Sequence, residues 1–135
     1  GSDSLPDQET YVNRFLLENS FLSELSKKAR RHTIIDTDKN RMFIIRESPG
    51  TTSRPHWHHD FDEWWYIAQG KLSFAVGEES TKIQAREGDI VFVPRGFRHS
   101  ITTANGEDSL RLPVTTVESA HVYMDGDDSA PPPRI

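Results

Sequence analysis

His56-Trp57-His58 puts two imidazoles two residues apart, and in a β-strand alternate residues share a face, so both project together while Trp57 points away. The short loop His59 to Asp62 then reverses the chain, and Glu63 opens the next strand on a face shared with Trp65 and Ile67. His99 opens a further strand just after the turn Pro94-Arg95-Gly96. An antiparallel barrel can bring those strand starts together. The result is a donor set of three neutral imidazoles, from His56, His58 and His99, and one carboxylate, from Glu63. That set suits Fe(II), Mn(II), Ni(II), Cu(II) or Zn(II). The expected cofactor is therefore one divalent transition metal per chain. By the same alternation His59 faces away from His58 and belongs to the rim or surface, and His32 and His121 have no assigned role.

Composition narrows the chemistry further. The 135 residues contain no cysteine, so thiolate ligands, a catalytic thiol and disulfides are all excluded. The length suits one domain, and 34% hydrophobic with 27% charged residues reads as globular. A formal net charge of −5 argues against a broad nucleic-acid surface. The basic cluster from Lys27 to His32 reads as the cationic last turn of a helix. No apolar run has transmembrane length and no secretory pattern is visible, so neither nucleic acid nor membrane is an expected partner, and the expected location is cytoplasmic.

The elements that must position the ligands are short β-type runs divided by turn residues. They are read at 32–37, 41–47, 54–58, 63–68, 71–76, 81–86, 90–93, 99–103, 110–117 and 120–124. Many short, evenly spaced strands imply an all-β jelly roll or small barrel. Residues 7–30 carry the only helical spacing, with Tyr11, Val12, Phe15, Leu16, Leu22 and Leu25 recurring and a break expected at Asn19-Ser20. The expected organisation is a tag remnant (Gly1-Ser2) and helical extension over 1–31, a barrel over 32–124, and a flexible acidic and proline-rich tail over 125–135. Gly70, Gly88 and Gly96 fall where chain reversals need them.

Gly50, His56, His58, Glu63 and Gly70 in one register, followed by Gly88, Pro94, Gly96 and His99 in a second, resemble the two sequence motifs of the cupin superfamily. The resemblance covers residues 41–117 and implies a double-stranded β-helix, a metal site with no ligand substituted, and pairing of two chains through their sheets as a homodimer. Where the second motif often ends in Asn this chain has Thr103, a departure that bears on a turn and not on the ligands. The stretch around His-Trp-His and Glu-Trp is also similar to oxalate decarboxylases. Those enzymes are typically two cupin units and space His58 and Glu63 one residue closer, so that activity is not carried over.

Around the metal, Arg54, two residues before His56, is expected to point inward and to grip a substrate carboxylate or phosphate through a bidentate pair. Trp65 is a candidate pocket wall, and Arg41 is a second candidate for the anion contact. The expected function is a mononuclear metal-dependent enzyme, an Fe(II) dioxygenase-type oxidoreductase acting on a small carboxylate-bearing molecule. The carboxylate ligand argues against thiol dioxygenases, whose cupin sites normally hold three histidines alone. The alternatives are an isomerase, lyase or decarboxylase using Mn, Ni or Zn as a Lewis acid, a non-catalytic binding module, and metal-independent sugar-nucleotide chemistry with the histidines as acid–base groups.

Overall fold

The computed structural model describes residues 30–116, 122–123 and 133–134. The helical extension expected over 7–30 lies outside these residues except for Arg30. Among the described residues the chain is all-β. Its strands are β1 (Arg31–Asp36), β2 (Arg41–Glu47), β3 (His56–Trp57), β4 (Glu63–Gln69), β5 (Lys71–Val76), β6 (Thr81–Arg86), β7 (Ile90–Val93), β8 (His99–Thr103), β9 (Ser109–Thr115) and β10 (Val122–Tyr123). They form two antiparallel five-stranded sheets, ordered β1-β2-β9-β4-β7 and β10-β3-β8-β5-β6. No helix among the described residues is long and apolar enough to cross a membrane.

Alternation along the strands fills the space between the sheets. Trp65 and Ile67 of β4, Leu72 and Phe74 of β5, Val91 and Val93 of β7 and Ile101 of β8 make one buried cluster. A second cluster, Ile44, Ala68, Leu110 and Leu112, occupies the opposite face of the first sheet. Burial of such side chains, worth about 1.5–3 kcal/mol each, is what fixes the register: a one-residue slip would carry the whole set to the other face.

Two prolines interrupt the ladders where the sheets border the cavity described below. The strand expected over 54–58 contracts to His56–Trp57 because Pro55 has no N–H to donate. Upstream, Gly50 N and Ser53 N donate to the carbonyls of Thr103 and Ile101 at 2.8 Å each, and Ile101 N donates to the Ser53 hydroxyl at 2.8 Å. Thr52 faces Thr102 and His56 faces His99, so four steps on one strand match three on the other. The extra residue is accommodated as a bulge. In β9, Pro113 stands mid-strand; pairing with β2 runs from Arg41–Thr115 and Met42–Val114 to Ile45–Arg111, skipping the positions beside the proline. Edge strand β7 leaves Ile90 64% and Phe92 55% exposed, with Trp64 directly across from Phe92.

The β4–β5 turn depends on Gly70, whose φ is +84° and whose added Cβ would lie 2.7 Å from the Asp108 carbonyl oxygen. Gly77 has a similar φ of +83° but open space around it. Gly77→Ala is expected to cost only the left-handed backbone penalty of about 1–2 kcal/mol. Gly70→Ala should cost clearly more, because a backbone carbonyl must also move. Urea unfolding of both variants measures the difference, and equal losses would show that the close approach carries no energy.

Candidate metal centre

His56 and His99 face each other across the β3–β8 ladder with ring centroids 4.4 Å apart. His58, just past β3, brings its ring within 5.0 Å of His56 and 5.3 Å of His99. One nitrogen from each of the three imidazoles lies within 4.8 Å of the other two, an arrangement positioned to bind a metal ion. Ring orientation is fixed from behind. His56 Nδ1 is 2.7 Å from the Arg54 carbonyl and His99 Nδ1 is 3.1 Å from the Phe97 carbonyl. A carbonyl can only accept, so each Nδ1 carries the hydrogen and each Nε2 keeps its lone pair for a metal. His58 stacks on Phe61 at 4.3 Å, and Trp65 meets the His99 ring edge-on at 5.6 Å.

Glu63, at the start of β4 in the other sheet, brings its carboxylate beside them. Its Oε1 lies 3.1 Å from His58 Nε2 and 3.8 Å from His99 Nε2. Donors held about 2.0–2.2 Å from one ion at right angles stand about 3 Å apart, a spacing that the His58–Glu63 pair has and that the His99–Glu63 pair exceeds.

The loop before Glu63 is pinned to the turn before His99. The Asp62 carboxylate accepts from the Arg95 backbone N–H at 2.9 Å and from Arg95 Nε at 3.3 Å, and Gly96 N donates to the His58 carbonyl at 2.6 Å. The Arg95 guanidinium and amide hold the Asp62 carboxyl below its ordinary value of 3.8. A depressed carboxyl contributes stability above that value and loses it as pH falls through the lower native one. Arg134, in the stretch expected to be a flexible tail, donates its backbone N–H to the Gly96 carbonyl at 2.7 Å and a guanidinium N–H to the Arg95 carbonyl at 3.2 Å.

His56, His58 and Glu63 line a cavity of about 470 Å³, within the size range of small-molecule sites. Arg54 lines it too, although it is exposed rather than turned into the interior. His59 is exposed, as strand parity requires. Trp65 shares Glu63's face but is 2% exposed and packed on Phe74 at 5.1 Å; it backs the His99 ring from within the core and is not part of the cavity wall. Arg41 is likewise not on that wall, because the β1–β2 hairpin sets it opposite Asp36, with which it pairs at 3.2 Å.

Sequence reasoning missed Arg111 and Glu47, which line the same cavity. Arg111 is 5% exposed and its Nη2 lies 3.4 Å from Glu47 Oε1, which Arg30 also engages. Burial lowers the Arg111 pKa, and the Glu47 charge opposes that shift. The available signal was a lone arginine inside the apolar run Leu110 to Val114.

A family model described as "Cupin domain" matches residues 43–117. An uncharacterized conserved protein with a double-stranded β-helix domain from Klebsiella pneumoniae superposes with a TM-score of 0.68 at 15% identity, covering 78% of this chain and 89% of that one. The polyketide cyclase RemF from Streptomyces resistomycificus gives 0.64 at 20% identity, covering 73% and 72%. A predicted oxalate decarboxylase from Thermotoga maritima gives 0.59 at 22% identity, covering 65% and 79%. At these identities the likeness is one of fold. No curated protein matches the sequence.

Glu63→Ala is expected to weaken binding of Co(II) or Zn(II) by at least about tenfold, and His99→Ala to weaken it further. Competition titration against a chromogenic chelator reads both. Unchanged affinity in Glu63→Ala would remove Glu63 from the ligand set.

Proposed function

The chain belongs to the cupin family, and on that premise we propose that it is a mononuclear metal-dependent enzyme, an Fe(II) dioxygenase-type oxidoreductase acting on a small carboxylate-bearing molecule. The observation that carries the metal-dependent reading is the convergence of three imidazole nitrogens, with the Glu63 oxygen beside them, at a cavity that His56, His58 and Glu63 line and that is large enough for such a substrate. Four protein ligands leave two octahedral positions for exchangeable groups. Bound iron would supply oxygen activation there. The chain's own residues hold the ligands and orient the substrate: the Arg54 and Phe97 carbonyls fix two ring tautomers, Phe61 braces His58, and Arg54 stands on the cavity wall for an incoming anion. The donor set is compatible with Fe(II), as it is with other divalent metals.

A second reading is a cyclase, isomerase or decarboxylase in which Mn, Ni or Zn serves as a Lewis acid. It is favoured by the activities named for two proteins of similar fold, a polyketide cyclase and a predicted oxalate decarboxylase. Elemental analysis of purified protein, followed by oxygen uptake against a panel of small carboxylates, separates the readings. The expected result is stoichiometric iron and substrate-dependent oxygen consumption. Turnover without oxygen uptake would transfer the protein to the second reading, and no turnover with any of these metals would make it a binding module.

We also propose that two copies pair through the outer face of β4 and β7, where Trp64, Phe92 and Ile90 present an apolar surface beside an open sheet edge. Light scattering should give a dimer for the wild type and a monomer for Phe92→Glu. A monomeric wild type overturns the pairing.

A further inference from the structure

We propose that the cavity recognises a small dicarboxylate, one carboxylate reaching the metal ligands beside the hydroxyl of Thr115 and the other held by the guanidinium of Arg111. This deepens the reading of the site as a metal-dependent enzyme and rests on it. Arg111 and Thr115 are 5% and 4% exposed, and both line the cavity. Among the described residues neither Arg111 Nε nor Thr115 Oγ1 has a hydrogen-bond partner. A buried donor left unmet is costly, so two of them on one cavity wall mark a place built for a ligand's acceptor atoms. The Glu47 carboxylate meets Arg111 only from the Nη2 side, at 3.4 Å, and is shared with Arg30.

Their placement suits a short molecule. Both lie on the same face of β9 on either side of Pro113, and Thr115 stands directly opposite Glu63. Arg111 is four residues further along, about 13 Å of strand at 3.3 Å per residue, less what its own side chain spans. A ligand with one end at the imidazoles therefore presents its other end to Arg111.

Charge makes the same demand. Among the described residues Arg30, Arg31, Arg54 and Arg111 line the cavity against Glu47 and Glu63, a formal excess of two positive charges (4 − 2) in a chain whose net charge is −5. A divalent ion on neutral imidazoles doubles that excess. A dianion can place one charge at each end of the cavity, at the metal ligands and at Arg111.

Calorimetric titration of the Ni(II)-loaded protein with oxalate, malonate, succinate and glutarate, against acetate, propionate and methyl phosphate, tests this. At least one dicarboxylate should bind tenfold or more tighter than either monocarboxylate, and Arg111→Met should abolish that preference while metal content stays at the wild-type level. Because Arg111→Met leaves Glu47 buried beside a neutral side chain, the paired variant Arg111→Met/Glu47→Gln is measured as well. Thr115→Val should weaken the favoured dicarboxylate several-fold. A preference that survives in both Arg111 variants, no dicarboxylate binding to wild type, or tighter binding of methyl phosphate would each overturn the proposal and leave the metal centre standing. Failure of the wild type to take up Ni(II) would instead sink the metal reading itself.

Discussion

Antiparallel pairing of β3 with β8, in the one register that sets His56 against His99, is the constraint on which the site depends. Each imidazole gets its direction from strand alternation, and alternation has no tolerance for a slip. Register is held in turn by the apolar cluster of β4, β5, β7 and β8, which touches the site through Trp65 at the edge of the His99 ring. Core packing and ligand geometry are thus one problem. The same backbone that buries Ile101 delivers His99 two residues earlier on the same face.

The interior is divided between two kinds of surface. Where the sheets are regular they enclose a dry core, and where Pro55 and Pro113 interrupt the ladders they border the cavity. A proline in a central strand removes a ladder hydrogen bond and is normally disfavoured there. In β9 that break separates Arg111 from Thr115, two of the buried polar side chains that line the cavity. Irregular backbone and unusual side chains occur together because a packed, fully paired barrel would leave no room for a ligand.

Much of this was legible in the linear sequence. Periodicity gave the bounds of β2, β5, β6, β7 and β8 as they stand, since polar turn residues and alternating apolar ones mark both their ends. Parity groups His56, His58 and His99 with Glu63 and sets His59 outside, and in the structure those four side chains lie close together while His59 is exposed. The failures share a cause. Trp65 was given the right face, but whether that stretch of the face meets cavity or core depends on what the opposite sheet supplies, here Phe74. Arg41 lost its assigned role to Asp36 across a hairpin. Arg111 and Glu47 come together from 64 residues apart through the β2–β9 pairing, and no local pattern announces a non-local pair. Pro55 was visible, yet its shortening of β3 follows only from which strand lies alongside.

The four ligands are not drawn from a single layer. His56, His58 and His99 belong to β3, β8 and their flanks in one sheet, while Glu63 begins β4 in the other. An ion bound by all four would tie the two layers together at that end, adding to the Gly96–His58 and Arg95–Asp62 hydrogen bonds already there. Release of such an ion would then be coupled to separation of the layers at the barrel mouth. Demetallation kinetics would report on barrel mechanics as much as on coordination chemistry.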